Sequence, residues 1–554
     1  MKQPVFLEPP PNWTPEERPM LPGSPAAIYH RPSVRAAYAA VGVLVGITGG
    51  LGNALVSANL PQIQGQLGLT PSEGAWLPAA YVMVNVTSNL LLFKFRQQFG
   101  IRRFAELGIF AYVMVTLLHV VAEDYSTALF ARAISGFAAA PMSSLGLYYI
   151  LQAFPKAKMG SGFCIGLAIS QIAGPLAWLA SPALLDIGDW RGLYLFELGM
   201  ALCTMAAVVV LKLPPGMRIR VFEPLDILTF LLLAPAMALV AAVLAQGRIQ
   251  WWPDQPWMAG ALIAALLLFL VAGFIEHHRE RPLIQTRWLG TAEVFRFLLG
   301  ALGIRLLLSE QTYAATGLMR TLGMGPDQLQ PLYLVIMLGT AAGAVLAALL
   351  FDPKRLTFLV IASVVLIIVG STMDQGATSQ TRPHDLFFSQ FLVSCAGGMF
   401  LGPLMIKAVM PVLMTRGADY IVTFVILFSV SQSVGGLLGP AIFGTFQQYR
   451  EHEYSAQIVA EIAPTDPIVA QRLQIQGQVY GQVITDPVLR NAQGIALLSQ
   501  AATREANVRA YNDVVVLNTF IALAFLAWSL FQTLIASWKA ITAARVVPAA
   551  QGTD

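Results

Sequence analysis

Residues 257–275 read WMAGALIAALLLFLVAGFI, nineteen consecutive positions without an ionisable side chain. At 1.5 Å rise per residue a helix of this length covers roughly 28 Å, close to the ~30 Å hydrocarbon layer of a bilayer. A helix on the surface of a soluble core needs only one apolar stripe, whereas here every face is apolar. The segment reads as a membrane span.

The rest of the chain repeats this pattern. Of its 554 residues, 56% are hydrophobic and only 12% charged, and the mean hydropathy is +0.64; an average soluble chain carries about 25% charged residues. Apolar runs broken by charge, Gly and Pro predict helices at 35–58, 75–95, 104–122, 126–150, 160–181 and 191–212, then at 226–245 and 257–275, then at 295–318, 329–351, 356–374, 385–412, 418–446 and 513–536. The order six, two, six describes an all-α membrane protein of fourteen spans. Residues 1–34, dense in proline, read as a disordered cytoplasmic tail. Residues 35–212 form an N-terminal six-helix bundle, and 213–294 form two linker spans with cytoplasmic loops. Residues 295–536 form a C-terminal six-helix bundle that includes a polar exterior segment, 447–512, and 537–554 form a second cytoplasmic tail.

Positive charge sets the orientation, because short cytoplasmic loops retain Lys and Arg. One set of alternate loops holds Lys94, Arg96, Arg102 and Arg103, then Lys156 and Lys158, then Lys212, Arg218 and Arg220, then Arg279, Arg281 and Arg287, then Lys354 and Arg355, and Arg416. The opposite set offers little beyond Arg191, Arg248, Arg320 and Arg382, and Glu123 and Asp124 make one of its turns acidic. Both termini are therefore expected in the cytoplasm of a bacterium, with the chain in its inner membrane.

Several functions find no support in the sequence. Cys164, Cys203 and Cys395 all lie in apolar runs, with no CxxC and no Cys/His spacing suited to a metal. Only six histidines are present, without a G-x-S-x-G or a His/Asp cluster, and no G-x-x-x-x-G-K-[ST] loop offers a phosphate cradle. No basic nucleic-acid footprint occurs. The expectation is a non-enzyme with no metal and no cofactor, whose partners are a small molecule, protons and membrane lipid.

Short motifs add a family. LGNALVSANLP at 51–61 is similar to L-D-x-T-x-V-N-x-A-L-P, with Gly52 where the acidic residue stands; FKFRQQFGIRR at 93–103 keeps Gly100 and the basic cluster of G-x-L-a-D-r-x-G-r-r. Arg132 and Gly136 match R-x-x-Q-G, Gly174-Pro175 match the antiporter glycine-proline, and DWRGLYLFE at 189–197 resembles W-R-x-x-F-x-x-N with Glu197 for Asn. In this order the motifs resemble the major facilitator superfamily over nearly the whole chain, specifically its fourteen-span drug/proton antiporter branch of the EmrB/QacA type. The resemblance implies two six-helix bundles plus two extra helices, and proton-driven export of amphipathic or aromatic compounds. It also implies partners, since relatives of this length in Gram-negative bacteria often feed a periplasmic adaptor and an outer-membrane channel; residues 447–512 offer a docking surface. The rival readings are a substrate-specific metabolite or siderophore transporter, working as uptake symporter or facilitator, and a non-transporting membrane sensor or scaffold.

Antiport needs a mid-membrane cavity open alternately to each side, with an ionisable group in it. Charge at a helix centre costs about 2.5 to 3.5 kcal/mol, so ionisable residues within spans sit between helices and mark function. Arg132 lies well inside the fourth span, at a position the resemblance ties to proton coupling. Glu197 lies six residues past Arg191, deep enough to be the leading proton carrier, although one turn shallower it would only pair with Arg191. Arg305 and Glu310, five residues apart, point about 140° from each other, so each needs a partner on another helix. With Gly52 lacking a carboxylate, they suggest an ionisable site moved to the second half; alternatively Arg305 braces the bundle and Glu310 lies at the outer interface. Asn53, Asn85, Tyr81, Gln171 and Lys407 supply polarity and aromatic surface for a substrate cavity, though Lys407 can also snorkel to the cytoplasm. Gly100, Gly136, Gly174, Pro175, Gly435 and Gly436 are the expected points of close approach and bending.

Overall fold

The computed structural model describes residues 6–8, 12–14, 17–19, 23–280, 282–415, 418–463, 465–479 and 481–546. Among them the chain is almost wholly helical, with only isolated β-bridges outside the helices. Thirteen helices are long and apolar enough to cross a membrane: α1 (Pro32–Ala58), α2 (Pro71–Phe99), α3 (Ile101–Val120), α4 (Tyr125–Ala153), α5 (Lys156–Asp186), α6 (Asp189–Val210), α7 (Pro224–Gln250), α8 (Pro256–His278), and, after a gap filled by α9, α10 (Pro326–Leu349), α11 (Leu356–Met373), α12 (Pro383–Met414), α13 (Tyr420–Glu461) and α14 (Pro487–Trp538). The fourteenth, α9, is interrupted. It runs as α-helix over Ala292–Leu307, widens to π-helical turns over Glu310–Ala315 and closes as Thr316–Thr321. Such widened turns recur at functional sites.

Local chemistry starts these helices where the sequence suggests. Proline occupies the first turn of α1, α2, α7, α8 and α10, where its missing N–H is no loss. Thr70 and Glu73 close a capping box on α2, and Asp124 and Thr127 close one on α4; the Thr127 hydroxyl holds the Asp124 carboxyl below its ordinary range. Gly100, at φ +84°, makes the one-residue turn between α2 and α3 that a side chain would strain. Asp189, at φ +52°, departs from helical backbone geometry where α5 passes into α6, within the one hydrogen-bonded stretch Ala173–Val210.

The two extra spans do not float free. Leu233 and Met237 of α7 pack with Val86 and Leu90 of α2, Ala272 of α8 and Ile426 of α13. At the end of the bundle that carries the chain termini, Asp226 Oδ1 accepts from Lys94 Nζ at 2.7 Å and from Arg279 Nη2 at 2.8 Å. Burial works against the Arg279 charge, but its bonds to Asp226, Glu276 and Glu223 more than reverse this and hold the guanidinium above its ordinary value. At the far end Trp252 Nε1 donates to Thr445 Oγ1 at 2.7 Å. The opposite face of α8, with Leu262, Ile263, Leu266, Leu270 and Phe274, is exposed, as lipid-facing residues should be.

The halves meet at the far end through polar and aromatic contacts. There Arg320 Nη2 donates to Ala58 O at 2.6 Å, the Trp178 and Tyr333 rings stack 4.4 Å apart, and Gln330 Nε2 donates to Leu179 O at 2.9 Å. At the terminal end Ser161 Oγ donates to Ala348 O at 2.8 Å.

Three sequence expectations shift. Part of the N-terminal tail is docked rather than disordered: Ser24 is 7% exposed and Ala26 fully buried, because Ala26 bonds Pro215 O and its own carbonyl takes Gln152 Nε2 at 3.0 Å. Residues 1–5, 9–11, 15–16, 20–22 and 547–554, also read as tail, lie outside the described residues. Around the segment 447–512 the spans extend past the expected ends at 446 and 513: the helix of α13 runs to Glu461 and that of α14 starts at Pro487, with the helix Pro467–Gln478 between them. Arg450 Nε on Asp513 Oδ2 at 2.5 Å and Gln447 Nε2 on Asn507 Oδ1 at 2.7 Å tie the two long helices together. The C-terminal tail likewise begins as helix, which continues to Val546.

Candidate functional site

Three helices of the first half meet at Arg132. This α4 side chain is 1% exposed, and its fork reaches Leu77 O of α2 at 3.4 Å, Gly52 O of α1 at 3.2 Å and Asn53 Oδ1 at 2.8 Å. The guanidinium lies 4.7 Å above the Tyr81 ring of α2, a cation–π contact. Arginine suits this place because its planar fork can satisfy several acceptors at once.

Glu197 of α6, 2% exposed, comes to the same stretch of α1 from the other side. Its Oε1 accepts from Tyr112 Oη at 2.7 Å, and that hydroxyl also lies 2.9 Å from Thr48 O. Oε2 is buried without a partner. Arg191 is not its mate: that residue pairs on the surface with Glu123 at 3.4 Å. The shallow alternative for Glu197 is thereby removed. A Cβ added to Gly52 would stand 2.7 Å from the Glu197 carboxyl carbon, so the missing acid of α1 is replaced in space by one from α6.

Around this pair, Asn85 Nδ2 donates to Gly136 O at 3.0 Å. A Cβ on Gly136 would strike Tyr81 O and come within 3.0 Å of Asn85 N, which is the close approach of α4 to α2 that glycine permits. Buried His119 stacks on Tyr194 at 4.7 Å and reaches Ser135 Oγ at 3.3 Å.

Arg305 stands where the two halves face each other. Its Nη1 lies 3.4 Å from Gln171 Oε1 of α5, and its Nε is buried without a partner. Gly435 and Gly436 of α13 make room for it, since a Cβ on Gly435 would stand 2.8 Å from Arg305 Cγ. Glu310 is fully buried elsewhere, in the π turns of α9, and takes Gln390 Nε2 at 3.3 Å. Lys407 of α12 is exposed and joins none of these contacts. Gly174 has open space where its Cβ would be, so α5 makes no close approach there in this conformation, and Pro175 follows it within the helix.

The sequence pattern missed Tyr112, Gln390 and Asp374. Tyr112 sits in an apolar run with nothing local to distinguish it, Gln390 carries no charge, and Asp374 falls at the end of α11, where an acid reads as a loop residue.

The arrangement is that of a helical bundle whose few charges are held between helices. The sequence model of the Major Facilitator Superfamily matches residues 42–440. The chain belongs to that superfamily. Among its relatives, "Puromycin resistance protein pur8" of Streptomyces alboniger is 25% identical over 462 residues, covering 81% of this chain and 86% of that protein. "Multidrug export protein EmrB" of Haemophilus influenzae is 21% identical over 498 residues, covering 86% and 92%. Among solved structures, the proton:xylose symporter XylE bound to 6-bromo-6-deoxy-D-glucose overlays with a TM-score of 0.51 at 13% identity, covering 90% of this chain and 97% of that one. The human organic anion transporter MFSD10 (TETRAN) overlays at 0.50 and 13%, covering 88% and 99%. These overlays establish the major facilitator fold. The chain is thus a multi-pass membrane transporter of this superfamily, similar to proteins named for puromycin resistance and multidrug export.

Proposed function

We propose that this transporter is a proton-coupled antiporter of the bacterial cytoplasmic membrane, with both termini in the cytoplasm, exporting amphipathic or aromatic small molecules. The observation that carries the reading is Glu197: a buried carboxyl with one oxygen bound by Tyr112 and the other free, beside the Arg132 fork on Gly52. A proton arriving on the free oxygen neutralises Glu197 and leaves the Arg132 charge without its counterpart. Loss of that proton restores the charge. Occupancy of the neighbouring space by a cationic or aromatic substrate is thereby linked to proton occupancy, the requirement for exchange. Asn53, Asn85, Tyr81 and Gln171 supply the polar and aromatic lining in this reading, with Arg305 and Glu310 as the charges of the second half.

Everted membrane vesicles with an imposed acid-inside gradient test this. Puromycin, or ethidium as an aromatic cation, should dissipate the gradient, and Glu197→Gln should abolish the response. A gradient that is unaffected by substrate, or a Glu197→Gln protein that still responds, removes the proposal. Whole-cell accumulation that rises with an uncoupler distinguishes export from uptake.

The same orientation puts residues 447–512 outside the membrane, where Ile468, Ile475, Val479, Val483 and Val488 are exposed. We assign to this surface the docking of a periplasmic adaptor that leads to an outer-membrane channel. Replacing these five residues by Ser should leave vesicle exchange intact and reduce resistance of whole cells; unchanged resistance removes the adaptor.

A further inference from the structure

The second half holds an acidic cluster that, among the described residues, no basic side chain compensates. Glu310, on the π turn of α9, is fully buried, and Asp374, which ends α11, is 6% exposed. One amide serves both: Gln390 Nε2 of α12 lies 3.3 and 3.5 Å from the Glu310 oxygens and 2.6 Å from Asp374 Oδ2. Gln390 is itself fixed by Gln311, whose Nε2 lies 3.0 Å from Gln390 Oε1 and 3.2 Å from its carbonyl. Asp374 Oδ1 is buried and has no partner.

Charged neighbours are engaged elsewhere. His384 meets Asp385 at 3.3 Å, and Arg382 Nη1 donates to Thr381 O at 3.1 Å. Of the polar groups on the adjoining helices, Tyr333 of α10 bonds Thr316 at 2.7 Å and Asn518 of α14 bonds Ser371 at 3.0 Å. Among the described residues no Lys, Arg or His comes within ion-pair distance of Glu310 or Asp374. Two negative charges would therefore share a buried site whose donors, the Gln390 amide and the Ser389 hydroxyl at Asp374, are all neutral, an arrangement that repulsion and desolvation both oppose.

We propose that Glu310, Asp374 and Gln390 form a proton-binding site separate from Glu197, in which the two carboxyls share a single proton. The proton comes from water as hydronium; an O–H bond forms at Asp374 Oδ1, and the pair changes from two negative charges to one, which the Gln390 amide then serves. A metal ion fits worse, because an N–H donor lies between the carboxyls and Gln390 Oε1 is taken by Gln311. Among the described residues no group of three His, Cys, Asp or Glu could hold such an ion. The site lies at the far end, beneath the turn where Ala377 and Asn512 exchange hydrogen bonds at 2.9 and 2.7 Å. It is placed to load protons from the side opposite the termini.

The role of this proton in transport rests on the antiport reading, but its presence does not, so the two fail separately. Infrared spectra of the protein purified in a Glu197→Gln background at neutral pH should show a protonated-carboxyl C=O band that shifts in frequency in Asp374→Asn and in Glu310→Gln, since each change removes one of the two carboxyls that surround the proton. The double variant should lose the band. A band unmoved by both single changes, one that survives in the double variant, or one that NaCl displaces where KCl does not, overturns the shared proton. Should either variant fail to elute as folded protein, dicyclohexylcarbodiimide labelling of the unaltered protein decides. It adds to protonated carboxyls in apolar surroundings and should mark Glu310 or Asp374 by peptide mass; labelling of neither overturns the proposal.

Discussion

The Glu197 carboxylate occupies the space that a side chain at Gly52 would take. A Cβ on Gly52 would stand 2.7 Å from Glu197 Cδ and 3.0 Å from Oε2, with Oε1 closer still. From the other direction, Arg132 Nη1 reaches the carbonyl of the same glycine at 3.2 Å. Gly52 is thus the point on α1 where an acid from α6 and a base from α4 are brought together, and its lack of a side chain is a condition of that meeting.

Gly52→Ala should therefore displace the carboxylate and lower substrate-driven proton exchange by about tenfold or more, since about 1.4 kcal/mol of lost interaction already corresponds to that factor. Yield and elution should stay near normal. Returning the acid to α1 with Gly52→Asp in a Glu197→Gly background should recover part of the exchange. Full activity in Gly52→Ala would show that the carboxylate position does not matter.

Arg132 invites a stability measurement as well as a transport one. Its fork serves Leu77, Gly52 and Asn53, and Arg132→Leu leaves those acceptors and Glu197 without a cation. A buried polar group left without its hydrogen-bond partner costs about 1 to 3 kcal/mol, which thermal unfolding in detergent should register. Adding Glu197→Leu should regain part of the loss. Arg132→Lys, a point charge without the fork, should fall between. If the double variant is less stable than Arg132→Leu alone, the two charges do not compensate each other.

How much of this could be read from the sequence differs by scale. The spans were legible because lipid demands a long apolar run for each crossing, and the predicted 356–374 and observed Leu356–Met373 differ by one residue. The end of α13 was not, since beyond the bilayer polar helix and polar loop look alike, whereas the helical pattern over 491–513 did show ahead of α14. Arg132 and Glu197 stood out as charges inside apolar runs. Their meeting at Gly52 could not be seen, because 145 positions of sequence separate Gly52 from Glu197 and only packing joins them. The missing acid at Gly52 suggested an ionisable site in the second half; the structure holds a buried carboxylate beside Gly52 in the first half and another, Glu310, in the second. Asp374 was hidden by lying at a helix end, where charge is ordinary.

Gly435 provides a contrast between glycines. A Cβ there would press on Arg305 Cγ at 2.8 Å and Cβ at 2.9 Å, whereas nothing lies within 4 Å of a Cβ at Gly174. Gly435→Val should push Arg305 away from Gln171 and reduce exchange severalfold, while Gly174→Ala should raise thermal stability by about 0.5 to 1 kcal/mol through the usual helix preference. Equal effects of the two substitutions on stability would mean that Gly435 is not shaped around Arg305.

Asp226 holds the extra helices to the first half. Lys94 is 5% exposed, and its ammonium lies 2.7 Å from Asp226 Oδ1; Arg279 reaches the same oxygen at 2.8 Å and Glu276 Oε1 at 2.6 Å. Asp226→Asn removes the charge both cations share, but Arg279 keeps Glu276, so the uncompensated group is Lys94. Detachment of α7 from α2 should follow at the terminal end, where the loop between α8 and α9 carries exposed Arg287. Trypsin should cut at Arg287 several times faster in Asp226→Asn than in the unaltered protein, and Lys94→Leu in the same background should slow the cut again by removing the stranded charge. Cleavage that is unchanged in Asp226→Asn, or faster still after Lys94→Leu, would mean that apolar packing alone, through Leu233 and Met237, holds α7 in place.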